Sequence, residues 1–203
     1  MDKIILSKIK KYVGEIFKQK KAENKYYHNF THTAEVVKVT EEISNSLGVS
    51  DDEKEILLIA AWFHDVGYIE RCNGHEDLGV EIATNFLKVN GYQEDKINRV
   101  ASLIKSTKLP RNPQNLLEEI ICDADLFHLG TDEFDEKEKL FRKELEAYEG
   151  GKINDKAWLE KNFSFFAQHK FYTNYAKEKF ETKKKENLIR IQERLKRVEN
   201  NSN

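Results

Sequence analysis

The chain has 203 residues and a nearly balanced charge, with 34 Lys and Arg against 36 Asp and Glu. A length of that order suits one compact domain with its own core. The net charge of −2 argues against a strongly basic surface for nucleic acid or an anionic membrane. Hydrophobic residues make up 39 %, too many for a disordered chain, and no apolar run is long enough to span a bilayer.

The cysteines and the first residues bear on the cellular compartment. Cys72 and Cys122 are the two cysteines, and they form neither a CxxC pair nor a disulfide framework. The opening MDKIILSKIKKYVGE alternates Lys with apolar residues and lacks the h-region and cleavage site of a secretory signal. Both features favour a cytoplasmic protein.

The first three predicted elements are helices, because only 2 Pro and 9 Gly interrupt the chain and no segment alternates convincingly with period 2. The first spans about 2–19, and the second begins near Thr31 and ends before Gly48. Ser50 and Glu53 form a capping box that opens the third. From Ile56 to Phe63 this helix is apolar on every side, which predicts that it is the buried central helix.

The later elements are also predicted to be helices, at about 75–90, 94–107, 114–128, 132–148, 154–170 and 174–199. In the last one, Leu188, Ile191 and Leu195 recur at helical steps, a stripe that favours packing on the bundle over pairing two chains, although the oligomeric state stays open. The sequence therefore predicts an all-α, single-domain protein over 1–203. Its core is expected in about 26–148, with the helices of 154–199 packed on it.

Three sets of polar side chains are predicted on buried faces, where a polar group is costly unless it has a partner. His32 lies on the apolar stripe of the second helix, and His64-Asp65 ends the most apolar helix of the chain. Asp123 emerges from the apolar face of LLEEIICDADLF, whereas Asp125 points about 160° away and is expected to be solvated. Taken singly, each set also suits an ordinary role as a helix cap, a core histidine or an ion pair.

Taken together, two imidazoles and two carboxylates that point inward form the mixed nitrogen and oxygen ligand set that borderline divalent metals prefer. The two carboxylates also cancel the charge of a dication, which removes the burial cost of all four groups at once. A site of this kind leaves room for water at the metal.

The order His32, His64-Asp65, Asp123 resembles the HD superfamily of metal-dependent phosphohydrolases, whose signature is H…HD…D on a helical bundle. The resemblance also covers YHNFTH, AAWFHDVGY, SLIKSTK, ICDADLFHLG, FRKE and the weaker FYTNYAKEKFETKKKENL, which together extend over most of residues 26–190. These segments are similar to a bacterial subgroup of predicted HD-domain hydrolases.

The resemblance implies an HD-domain, phosphodiesterase-like helical fold and a divalent metal ion, which could be Mg, Mn, Zn, Fe, Co or Ni. His32, His64, Asp65 and Asp123 would be the metal ligands, and Asp65 would also touch the nucleophilic water or a second metal. The implied reaction is hydrolysis of a phosphomonoester or phosphodiester, with a nucleotide as the favoured small-molecule substrate, by metal-activated water.

Further catalytic roles are implied for His28 and Glu76. His28 resembles a general acid that protonates the leaving oxygen. Imidazole is the side chain most often used as a general acid, and a local helix would place this one about one turn from His32. Glu76 would assist water or a second metal, although an acidic residue in the first turn of a helix also complements the helix dipole. The subgroup has Asn where this chain has His75, so the role of His75 stays open.

Four residues are candidates for binding the substrate. Lys105, Lys108 and Arg142 could hold its phosphate, Arg142 in a bidentate manner, and Asn29 could orient His28 or a water molecule. The alternative for each cation is an ordinary solvated place on a helix surface.

Two other functions are compatible with parts of the pattern. Di-iron oxygenases on the same scaffold need additional histidines between the HD pair and the last Asp, and this chain supplies only His75 there. A non-catalytic sensor could use the same site to bind metal or nucleotide, and a test of metal-dependent turnover would distinguish it from an enzyme.

Overall fold

The structure is a computed structural model that describes residues 2–18 and 24–200. Within those two ranges the chain is helical and has no strand, which confirms the predicted all-α fold. Residue 19, the predicted end of the first helix, lies outside them. The helices of the described residues are α1 Lys3–Ile16, α2 Phe30–Ser46, α3 Asp51–Phe63, α4 His75–Val89, α5 Glu94–Ser106, α6 Leu116–Asp125, α7 Phe134–Glu149, α8 Asp155–Gln168 and α9 Asn174–Asn200.

The chain divides into two compact units, residues 1–125 and residues 126–203. The first contains α1 to α6 and the second α7 to α9. The division falls directly after α6, whereas the sequence placed the end of the core near 148. That the whole chain is one domain stays a prediction.

In the first unit, α3 is the central helix, as its sequence predicts. All nine residues from Glu55 to Phe63 are buried, and the helix contacts α1, α2, α4, α5 and α6. The predicted N-cap is present as the first half of a capping box: the Ser50 hydroxyl accepts the Glu53 amide at 3.4 Å. The Glu53 carboxylate accepts the Ser50 hydroxyl at 2.8 Å instead of the Ser50 backbone amide. This cap fixes where α3 begins and therefore where its buried end emerges.

In the second unit, α9 packs against α8 and against a short 3-10 turn, Phe127–Gly130. Its core contains Phe134, Phe166 and the fully buried Ile191, and Leu188 and Leu195 pack against that core. The apolar stripe predicted on the last helix therefore faces its own unit. None of the helices in the described ranges is both long and apolar enough to cross a bilayer.

Candidate metal centre

Four side chains of the first unit converge at the ends of three helices. His32 lies in the first turn of α2, His64 and Asp65 lie in the turn after α3, and Asp125 is the last residue of α6. Each offers one ligand atom, and these atoms all lie within 4.8 Å of one another. The cluster is nearly closed to solvent, since His64 is 0 % and Asp125 9 % exposed.

Asn29 fixes the position of His32. It is the N-cap of α2, and its side-chain oxygen accepts the amides of Thr31 at 2.9 Å and His32 at 3.1 Å. Its amide nitrogen donates to the Tyr26 carbonyl at 2.8 Å, which ties the preceding connector to the same point. The His32 ring then leaves the first turn of α2 toward the end of α3.

The tautomer of His64 is fixed by its own helix. The ring Nδ1 lies 2.8 Å from the Ala61 carbonyl oxygen. Because a carbonyl oxygen can only accept a hydrogen bond, Nδ1 carries the proton and the neutral ring presents the Nε2 lone pair to the cluster. A hydrogen bond of this kind orients metal-binding histidines.

The distances among the four groups suit a common cation. His64 Nε2 lies 3.1 Å from Asp65 Oδ2 and 3.3 Å from Asp125 Oδ1, and His32 Nε2 lies 3.3 Å and 3.5 Å from the same oxygens. Ligands about 2.1 Å from one ion and at angles of about 90–110° are themselves about 3.0–3.4 Å apart. The four separations therefore fit the ligand set of a single divalent ion.

Two of these atoms have no hydrogen-bond partner among the described residues, although they are buried: His64 Nε2 and Asp65 Oδ2. Buried polar atoms in this situation call for an ion or another partner. Burial alone would lower the pKa of His64, but Asp65 and Asp125 outweigh it and raise that pKa well above its usual value. Burial would raise the pKa of Asp65, and His64 and His32 hold it well below the usual range instead. The cluster can thus be neutralised by protons or by a cation, and the unpaired atoms favour the cation.

The aspartate of α6 that joins the cluster is Asp125, not Asp123. The reverse was expected from the sequence, on the assumption that α6 has one apolar face and one solvated face. The helix is instead buried on all sides from Ile120 to Asp125, whereas Leu116, which helped define the apolar face, is 46 % exposed. Asp123 is fully buried but is not one of the four residues of the cluster.

Arg111, which was not predicted from the sequence, pairs through its guanidinium with the carboxylate of Asp125. The side chain is 8 % exposed and also donates to the carbonyl oxygens of Thr107 and Cys122. No signal in the sequence identified it, since Arg111 lies in the Pro-containing connector before α6, where helical periodicity gives no orientation.

His28, the predicted general acid, lies beside the cluster and is buried, at 8 % exposed. Its ring stacks on that of Tyr68 with centroids 3.7 Å apart and planes 6° apart, and it lies 5.9 Å from the His32 ring. The Tyr68 ring also lies against that of His75, with centroids 3.9 Å apart. His28 is therefore a buried residue beside the cluster and not a solvent-exposed residue of the connector.

His75 and Glu76 begin α4 on the outer side of Asp65. His75 Nδ1 lies 2.7 Å from the Cys72 carbonyl oxygen, and its Nε2 lies 3.5 Å from Asp65 Oδ1 and 3.6 Å from Glu76 Oε1. Burial lowers and Asp65 raises the pKa of His75, with a net rise. The carboxylates of Asp65 and Glu76 can thus be neutralised either by a protonated His75 or by a cation held between the three side chains.

Gly67 allows α4 to approach this closely. A Cβ atom on Gly67 would lie 2.1 Å from the His75 carbonyl oxygen, a contact that no side chain can make without moving the backbone. The glycine after the HD pair thus holds the start of α4, and with it His75 and Glu76, against the cluster.

None of the four predicted substrate-binding residues belongs to the four-residue cluster. Asn29 serves as the helix cap described above, Lys105 is exposed on α5, and Lys108 pairs with Asp77 at 3.2 Å. Arg142 belongs to the second unit, where it binds Glu146 at 3.0 Å and Asp155 at 2.6 Å. Their predicted contact with substrate stays a prediction.

Comparison with known proteins identifies the family. A crystal structure described as a predicted HD superfamily hydrolase from an uncultured Thermotogales bacterium shares the fold, with a TM-score of 0.58 and 20 % identity. The match covers 98 % of this chain and 93 % of that one. None of the curated proteins matches the chain significantly. The sequence profile of the HD domain matches residues 29–130, a span that contains all four residues of the cluster, and the chain therefore belongs to the HD domain family.

Proposed function

We propose that the protein is a metal-dependent phosphohydrolase that hydrolyses a small phosphoester, with a nucleotide as the favoured substrate, in the cytoplasm. The observation that carries the proposal is the buried set of His32, His64, Asp65 and Asp125, whose facing atoms lie 3.1–3.5 Å apart. This ligand set suits Mn, Fe, Co, Ni or Zn as well as Mg. A divalent ion bound there would acidify water and polarise a phosphoryl oxygen.

The residues around the cluster have separate roles in this reaction. The Ala61 carbonyl holds His64 with Nε2 toward the cluster, and Asp65 presents Oδ2 to the cluster and Oδ1 to His75. In this arrangement Asp65 would orient an attacking water. His28 stacks on Tyr68 beside the cluster, and from this position it would protonate the leaving oxygen.

Family and chemistry support the substrate class. The chain belongs to the HD domain family, and the Thermotogales protein with the same fold is described as a predicted hydrolase. A small phosphoester suits a site in which a bound dication would stabilise the phosphoryl charge and a general acid would protonate the leaving oxygen. The preference for a nucleotide rests on the family resemblance of the sequence alone.

The test is a metal analysis of the purified protein, followed by a screen of nucleotide and generic phosphoesters with each of several divalent ions. We expect the wild type to contain divalent metal and to turn over at least one phosphoester in a metal-dependent way. The His64→Ala variant should remain helical but lose both metal and turnover, because it lacks a central ligand. His128→Ala is the matched control and should keep both, since His128 lies outside the cluster.

Two results would contradict the proposal. Wild-type protein that takes up no divalent ion would remove the metal centre. Protein that binds metal and a nucleotide but hydrolyses nothing across the panel would instead support a non-catalytic sensor.

A further inference from the structure

Arg111 uses all three guanidinium nitrogens in a buried position. Nε donates to the Thr107 carbonyl oxygen at 3.0 Å, Nη1 donates to the Cys122 carbonyl oxygen at 2.7 Å, and Nη2 pairs with Asp125 Oδ2. Thr107 directly follows α5 and Cys122 lies within α6. Two helices therefore fix the plane of the guanidinium, and the third nitrogen is aimed at a cluster residue.

The contact with Asp125 determines which oxygen faces the cluster. Arg111 holds Oδ2, and the other oxygen, Oδ1, lies 3.3 Å from His64 Nε2 and 3.5 Å from His32 Nε2. An unheld carboxylate at the end of a helix can rotate about its side-chain bonds, whereas this one is fixed by a planar donor. The orientation of Asp125 is thus set from outside the cluster.

We propose that Arg111 is the positioning residue of the metal centre, which holds the Asp125 carboxylate so that Oδ1 is ready to bind the ion. The inference rests on the proposed function, because it requires that the cluster binds metal. Removal of a hydrogen-bond partner that orients a ligand typically weakens metal binding by about 10–100-fold.

The positive charge of Arg111 has the opposite effect on the affinity for metal. The direction in which the affinity changes when Arg111 is replaced therefore tests the proposal. A guanidinium near the cluster repels a dication, so its removal would strengthen metal binding if charge alone mattered. Loss of orientation weakens metal binding. Arg111→Lys separates the two effects, because it keeps the charge but loses the planar fork that reaches both carbonyls and the carboxylate.

The experiment titrates Co²⁺ into metal-free protein by calorimetry, at a temperature where circular dichroism shows each variant folded. We expect Arg111→Gln and Arg111→Lys each to bind Co²⁺ at least about 10-fold more weakly than the wild type. Arg99→Gln is the matched control and should bind like the wild type, since Arg99 is half exposed on α5 and pairs with Glu53 at 3.5 Å.

A double mutant shows whether Arg111 acts through Asp125. In the Asp125→Asn background, Arg111→Gln should weaken Co²⁺ binding by less than about 2-fold further, because the carboxylate that it orients is gone. A purely structural role would give the same loss in both backgrounds.

The outcomes separate the two proposals. Wild-type protein that binds no Co²⁺ overturns the metal centre and the role of Arg111 with it. If the wild type binds Co²⁺ and either folded Arg111 variant binds equally well or better, the positioning role is wrong and the metal centre stands. If neither Arg111 variant folds even with excess Co²⁺, Arg111 is a structural residue and the inference is also overturned.

Discussion

The choice between Asp123 and Asp125 gives the sharpest test of the metal centre. The two carboxylates lie two residues apart on α6, and only Asp125 contributes an atom to the four-residue cluster. We therefore predict that Asp125→Asn loses most of the stabilisation by metal, whereas Asp123→Asn keeps it. Both substitutions remove one negative charge and change almost no volume, so each serves as the control for the other.

The expected magnitude follows from linkage between binding and folding. A metal ion at about 100 times its Kd stabilises the folded state by about 2.7 kcal/mol. In a chain of this size that corresponds to a rise in Tm of about 5–11 °C. Asp125 supplies one of four ligand atoms, and a loss of affinity of about 100-fold would leave about 0.4 kcal/mol at the same metal concentration, or about 1–2 °C.

The assay is thermal unfolding followed by circular dichroism, with and without the divalent ion found in the purified protein. The relevant quantity is the metal-induced change in Tm within each variant, because both variants also change the Tm of the metal-free protein. Asp123 is fully buried, so Asp123→Asn is expected to start from a lower Tm. A metal-induced rise that survives in Asp125→Asn and disappears in Asp123→Asn would refute the geometry.

Two further predictions concern the surroundings of the cluster. His28→Ala should reduce phosphoester turnover by about 100-fold or more while the metal content stays unchanged; loss of metal in this variant would make His28 a ligand instead of a general acid. Gly67→Ala should lower the free energy of unfolding in urea by about 1–3 kcal/mol, because the added methyl group would lie 2.1 Å from the His75 carbonyl oxygen. Gly151→Ala, where nothing lies within 4 Å, is its control, and equal stability of both variants would contradict the close approach.

The helices could be predicted from the sequence because local signals mark their ends. Ser50 caps the start of α3 by accepting the Glu53 amide, as the sequence predicts. Gly150, which lies just beyond the helix predicted over 132–148, caps α7 with a left-handed φ of 74°. Such signals need only neighbouring residues, and for this reason the order of helices was predicted correctly even though their packing could not be.

The site was predicted only in part, because its geometry depends on contacts between helices. The inward direction of three residues was visible in the sequence, because His32 lies on the apolar stripe of α2 and the pair His64-Asp65 follows the apolar end of α3. The choice between Asp123 and Asp125 depended on how many sides of α6 are covered, and that number is set by α2, α3 and α5. Arg111 was missed for a related reason, since its partners belong to α6 and to the end of α5.

The positions of the site residues follow from how a helical fold satisfies polar groups. The interiors of these helices bury apolar side chains, and the ends leave unpaired amides and carbonyls that polar side chains can use. His64 bonds a carbonyl of the last turn of α3, and Asn29 caps the first turn of α2. The site residues therefore gather where helices end, at the C-terminal ends of α3 and α6 and the N-terminal ends of α2 and α4. The carbonyl-rich ends favour a cation and the amide-rich ends favour an anion, which is the pair of charges that a metal-dependent phosphohydrolase must hold together.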